Sequence, residues 1–198
     1  MTALRLLLPH ELKPRMSVTA TDRAFRFGPR IAPNRAPYEF YPTPPAATRA
    51  LLSAESFDGS IWEPACGQGH ISKVLVATGH QVVSTDLVAY GYGEAGRDFL
   101  AEPEPLAKHI VTNPPYGRGL ADAFVKHALN LTKATGGKVA MLLTMNSLCH
   151  PLRHDLFTES SPTAVYCLDK CECWPAGNAG RATASLTAQR YCWMVWEH

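Results

Sequence analysis

Apolar and polar residues follow one another along this chain in two rhythms, and the change from one to the other marks the elements. Dense apolar runs at 61–66, 81–87, 109–112, 138–144, 164–168 and 191–196 have the length and composition of buried strands. Between them, 71–78 and 120–132 carry apolar residues at three- and four-residue spacing, which predicts helices with one face turned to a core. Strands that alternate with helices in this way predict a parallel sheet with helices on both faces. The stretch 175–187, rich in Gly, Ala and Thr, separates the last two strand candidates and reads as a surface loop whose two ends can form a hairpin. No internal repeat is present.

The opening of the chain breaks this pattern. Pro9, Pro14, Pro29, Pro33 and Pro37 interrupt any periodicity, so residues 1–37 read as an irregular arm and 38–198 as the folded domain. Charge divides at nearly the same place. Residues 1–40 hold seven Lys/Arg against three Asp/Glu, a surplus of four, which leaves −2 for the rest of a chain whose net charge is +2. The arm, with Arg15, Arg23, Arg26, Arg30 and Arg35, either contacts phosphates through charge and counterion release or is a solvated tail.

Composition narrows the class. With 198 residues, 46% of them hydrophobic and 18% charged, the chain can bury one substantial core. The longest apolar stretches, such as 139–145, are far shorter than the roughly 20 residues that span a bilayer, so no membrane span is expected. The leucine run at the start has no basic leader before it and no small-residue cleavage site after it, which predicts a cytoplasmic protein. Of the six cysteines, Cys167, Cys171 and Cys173 invite a zinc reading, but their spacing matches no paired C-x2-C knuckle. Free thiols and no metal are expected.

Candidate chemistry gathers at the strand ends. Residues 61–70 read as a buried strand running into Gly67-Gln68-Gly69 and then a helix, and ligands of open α/β sheets bind outside such carboxyl ends. The two glycines let the backbone approach a ligand closely, and Glu63 can hold the ammonium of an amino-acid moiety. Asp86 ends the next strand, 17 residues beyond Gly69; it can accept both hydroxyls of a ribose or cap a turn. Asp98 beside Phe99 suits an adenine ring, one reading the amine and the other covering a face, or is a cap next to a core phenylalanine.

Taken in order, Glu-Pro-x-Cys-Gly-x-Gly, the acid after the following strand and Asp-Phe resemble successive cofactor motifs of class I S-adenosylmethionine-dependent methyltransferases. Upstream, Phe40-Tyr41-Pro42-Thr43-Pro44 resembles the additional cofactor motif of DNA amino-methyltransferases, although a proline-rich helix start is the plainer reading. Asn113-Pro114-Pro115-Tyr116, closing another strand, is similar to the catalytic motif of enzymes that methylate the amine of adenine or the amide of glutamine. The resemblance spans residues 38–196 and extends to phage-type solitary enzymes. It implies a Rossmann-like α/β fold with a mostly parallel seven-stranded sheet, a C-terminal antiparallel strand and helices on both faces. It further implies S-adenosylmethionine held by Tyr41, Thr43, Pro44, Glu63, Cys66, Gly67, Gly69, Asp86, Leu87, Asp98, Phe99 and Asn113, with catalysis by Asn113, Pro114, Pro115 and Tyr116.

Both target nitrogens have a lone pair delocalised into a neighbouring π system. The Asn113 side-chain oxygen and the Pro114 carbonyl can accept the two N–H groups and localise that pair, the prolines can hold both acceptors rigid, and Tyr116 can stack on the planar target. Arg118 meets a phosphate or lies solvated. The expected reaction is formation of N6-methyladenine in DNA, with RNA adenine second, protein glutamine third and a non-catalytic partner subunit fourth. No target-recognition region is expected after the last strand, so sequence choice is expected from the arm, the 175–187 loop or a partner protein, or hardly at all. Trp193 and Trp196 read as buried strand residues.

Overall fold

Consecutive residues of the predicted strands are apolar because both sides of the sheet are covered. The computed structural model describes residues 37–150, 153–169, 171, 173 and 190–198. The arm read over 1–37, apart from the backbone of Pro37, lies outside the described residues, as do the 175–187 loop and the side chain of Arg118.

Among the described residues seven strands form one sheet: β1 (Ile61–Glu63), β2 (Val82–Asp86), β3 (Glu94–Ala95), β4 (His109–Thr112), β5 (Lys138–Thr144), β6 (Ala164–Leu168) and β7 (Tyr191–Glu197). Their order is β3-β2-β1-β4-β5-β7-β6. Strands β1 to β5 pair in parallel, whereas β7 runs antiparallel to both β5 and β6. The expected hairpin at the end of the chain is the β6–β7 pair, with Ala164 opposite Val195 and Leu168 opposite Tyr191.

Among the described residues four α-helices cover the sheet: α1 (Pro45–Ala54), α2 (His70–Ala77), α3 (Leu120–Thr132) and α4 (His154–Glu159). Side chains alternate across a strand, so each strand feeds two cores. Ile61, Val111, Leu142, Trp193 and Val195 pack with Leu51 of α1 and with Ile71 and Leu75 of α2. Trp62, Ile110, Met141, Leu143 and Met194 pack with Phe124 and Val125 of α3 and with Leu156 and Phe157 of α4. Trp193 also ties sheet to helix, its indole N–H donating to the Ala47 carbonyl at 2.8 Å. Trp196 is buried too.

Differences from the sequence reading have local causes. Strand β1 stops at Glu63 because Pro64 has no N–H to continue the ladder. Strand β3 has two exposed residues in a glycine-rich segment, too short to show any period. The proline-rich stretch after Thr43 is a helix start, with Pro45 in the first turn of α1, where a missing N–H costs nothing. Cys167 is exposed on β6, while the sulfurs of Cys171 and Cys173 lie 3.8 Å apart. Among the described residues no three His, Cys, Asp or Glu are grouped to hold a metal ion, and no helix is long and apolar enough to cross a membrane.

Candidate active site

Strand order reverses between β1 and β4, so the connections leaving their carboxyl ends part and leave a crevice. A cavity of about 300 Å³ opens there. Tyr41, Thr43, Glu63, Cys66, Asp86, Leu87, Asp98, Phe99, Asn113 and Pro115 line it, whereas Pro44, Gly67, Gly69, Pro114 and Tyr116 do not. Residues spread over more than 70 positions of sequence thus share one concave surface.

The β1–α2 turn is built around two glycines in the left-handed region. Gly67 has φ 53° and Gly69, the N-cap of α2, has φ 76°. A Cβ on Gly67 would lie 2.3 Å from the Phe40 ring, and one on Gly69 would lie 2.4 Å from the Tyr92 ring. Both sites therefore exclude a side chain by conformation and by space. The turn is tied to β2 by Asp86, whose Oδ2 accepts from the Gly67 N–H at 2.8 Å while Oδ1 accepts from the Val88 N–H at 2.9 Å. Asp86 therefore shapes the loops, and each carboxylate oxygen keeps a further lone pair for a ligand.

Glu63 is 2% exposed. Its Oε2 accepts from the Ser72 N–H at 2.8 Å and from the Ser72 hydroxyl. Burial pushes its carboxyl up to about 8, with the nearby Asp86 charge acting in the same direction and the Ser72 bonds opposing it. Among the described residues no Lys or Arg pairs with Glu63 or Asp86. Cys66 is buried beside them, its thiol pushed up to about 12.

The Asp98-Phe99 pair has a structural duty as well as a place on the wall. Asp98 caps the 3-10 turn Phe99–Ala101 by accepting from the Leu100 N–H at 3.0 Å. Phe99 is 2% exposed and packs edge-on against Trp62 at 5.1 Å and tilted against Phe124 at 4.7 Å, so the ring belongs chiefly to the core.

Asn113 joins the strand ends to the segment ahead of α1. Its Nδ2 donates to the Tyr41 carbonyl and to Thr43 Oγ1, both at 3.1 Å. The Tyr116 hydroxyl meets Asn113 Oδ1 and, at 2.9 Å, the Leu142 carbonyl. Tyr116 is thus turned inward, its ring 6.3 Å from that of Tyr191, rather than standing in the cavity as a stacking surface. Burial holds its hydroxyl well above the usual tyrosine range, so it serves as a neutral donor. Asn113 Oδ1 is an acceptor held in place by bonds on the other side of its amide.

No protein-family model matches the chain, and no curated protein matches it in sequence. Solved structures do match. A proposed RNA methyltransferase from Pyrococcus horikoshii superposes with a TM-score of 0.58 at 16% identity, over 81% of this chain and 87% of that one. A proposed class I S-adenosylmethionine-dependent methyltransferase from Listeria monocytogenes gives 0.52 at 12% identity, over 77% of this chain. The chain spans 58% of the Listeria protein's length. It has the class I methyltransferase fold.

Within this methyltransferase fold several wall residues escape a reading by motif. Tyr38 and Glu39, with φ 53° and 59°, turn the chain so that Phe40 lies over Gly67 and stacks on Tyr90 at 4.4 Å and 20°. The aromatic pair Tyr90 and Tyr92 after β2 is the one sequence signal that could have pointed to this contact. His70 and Arg97 also line the cavity. Arg97 is engaged by Glu102 at 2.6 Å and by Glu94 at 3.3 Å, and burial holds the His70 imidazole below its ordinary value. Glu39, Asp86 and Asp98 line the wall beside Glu63, whose carboxyl stays protonated up to about pH 8.

Proposed function

We propose that this chain transfers the methyl group of S-adenosylmethionine to the exocyclic amine of adenine in DNA. The observation that carries the reading is the Asn113 amide on the cavity wall, its nitrogen bound to Tyr41 and Thr43 and its oxygen held by the Tyr116 hydroxyl, which has a second acceptor in the Leu142 carbonyl. A ligand with an ammonium and a sulfonium suits two buried acids that have no cationic partner among the described residues, and an ammonium beside Glu63 would favour its ionised form. Glu63 and Asp86 would hold its amino-acid and ribose parts, and Tyr41 and Thr43 would close over it.

The bound cofactor supplies an activated methyl on a good leaving group, so no strong base is needed before transfer, and the methylated amine releases its extra proton to solvent afterwards. Asn113 Oδ1 accepts one amine hydrogen and helps to localise the nitrogen lone pair toward the methyl; the Pro114 carbonyl, the second acceptor that the motif implies, lies outside the cavity lining. Proline at 114 and 115 keeps these acceptors from relaxing. The amine of a duplex adenine is buried in the stack, so the base must be extruded to reach Asn113. The basic arm over 1–37 would meet the backbone phosphates.

The test is transfer of labelled methyl to duplex DNA, single-stranded DNA, structured RNA and a protein extract, followed by digestion to identify the product. Labelled N6-methyladenine from DNA is the expected result. Label in RNA adenine or protein glutamine, or no label, overturns the DNA reading.

The raised carboxyl of Glu63 gives a second expected result. Its folded value lies above its unfolded value of 4.5, so its contribution to stability is full below 4.5 and is lost as pH rises through about 8. Glu63→Gln keeps an oxygen for the Ser72 donors and removes that titration. Urea unfolding at pH 6 and pH 9 should show the wild type losing on the order of a few kcal/mol more than the variant. Equal losses would mean that Glu63 is not the group that titrates.

A further inference from the structure

The reading of Asn113 depends on which way round its carboxamide lies. Oxygen and nitrogen occupy nearly the same space, so packing alone does not choose between them; hydrogen-bond partners do. With the oxygen toward the cavity the side chain accepts an N–H, and with the nitrogen there it would set donor against donor. Two acceptors, the Tyr41 carbonyl and Thr43 Oγ1, stand 3.1 Å from Nδ2. Thr43 is 3% exposed, so little solvent is at hand to replace its oxygen.

We propose that Thr43 is a positioning residue for transfer: its hydroxyl, together with the Tyr41 carbonyl, holds the Asn113 amide with Oδ1 directed at the target amine. The inference rests on the proposed role of Asn113 as amine acceptor. The opposite side of the amide agrees with it. The Tyr116 hydroxyl has one proton and two acceptors in reach, Asn113 Oδ1 and the Leu142 carbonyl. That proton can occupy Oδ1 while no target is present and turn to Leu142 when an amine arrives. Oδ1 is then satisfied in both states, while the Nδ2 side stays fixed.

Thr43→Val keeps shape and removes the acceptor, placing a methyl against the amide N–H. Tyr41 still accepts one hydrogen, so the expected loss in kcat is about 10- to 100-fold rather than total. Thr43→Ser should return kcat to within about threefold of wild type, and in Thr43→Val the cofactor Kd from calorimetry, to which the Thr43 wall also contributes, should change by less than kcat does. Unchanged kcat in Thr43→Val, a loss carried wholly by cofactor Kd, or failure of serine to restore turnover would each overturn the proposal.

A readout that needs no turnover separates this inference from the reading beneath it. The side-chain amide protons of Asn113, assigned in nitrogen-15 spectra by their disappearance in Asn113→Asp, should exchange slowly in wild type and Thr43→Ser and faster in Thr43→Val. If exchange responds in this way but wild type methylates none of the substrates tested, the functional reading fails and the orienting bond stands. If exchange is unchanged in Thr43→Val, the bond does not hold the amide and the proposal falls.

Discussion

Asn113→Ala is expected to lower methyl transfer by about 100- to 1000-fold, the scale seen when a preorganised hydrogen-bonding group is removed from a reacting centre. The variant loses the oxygen that would localise the amine lone pair. It also loses the two Nδ2 bonds to Tyr41 and Thr43, which belong to the cavity wall. Cofactor affinity should therefore fall modestly, by less than about tenfold, because two uncharged hydrogen bonds are lost while the carboxylates of Glu63 and Asp86 remain. Asn113→Asp refines the test. It keeps an oxygen but has no N–H for Tyr41 and Thr43, so it too should be nearly inactive. Single-turnover rates and calorimetry on the same preparations measure the two effects, and full activity in Asn113→Ala would remove Asn113 from the mechanism.

The largest expected effect on stability is at Trp193. Its side chain is fully buried between the sheet and α1, among Leu51, Leu142 and Val195, and its N–H is bonded to Ala47. Trp193→Ala removes the indole from a close-packed site and should cost about 3–5 kcal/mol. Domains of this size are stable by only about 5–15 kcal/mol, so the variant should lose a large share of its stability. A thermal midpoint lower by roughly 6–20 °C is expected. Trp193→Phe, which keeps most of the apolar volume, should lose distinctly less. A midpoint unchanged in the alanine variant would mean that α1 and β7 are not packed in solution as they are here.

Both variants probe features that the sequence reveals unequally. Trp193 is legible as a core residue because it sits in a dense apolar run, and β4, β5, β6 and α3 have the same bounds as their runs. Glu63, Asp86 and Asn113 could be placed at strand ends for a related reason: each stands where an apolar run gives way to turn chemistry. The position of Tyr116 was not legible. A tyrosine after two prolines can stand in a cavity or fold inward, and the choice rests on the Leu142 carbonyl, 26 residues away. The double duty of Asp98 and Phe99 was only half legible, because a cap and a core ring leave the same local signature as a ligand contact.

Period and turn chemistry, which are local, thus determined the alternation of strands and helices, the two-sided burial of the sheet and the positions of the strand-end motifs. Long-range contacts decided the rest. The stacking of Phe40 on Tyr90, the tie between Asp86 and Gly67, and the bonds from Asn113 to Tyr41 and Thr43 each join segments that chain order keeps apart. Their geometry depends on where the sheet reverses its strand order, and the residues on either side of such a bond carry no local mark of the partner they will meet.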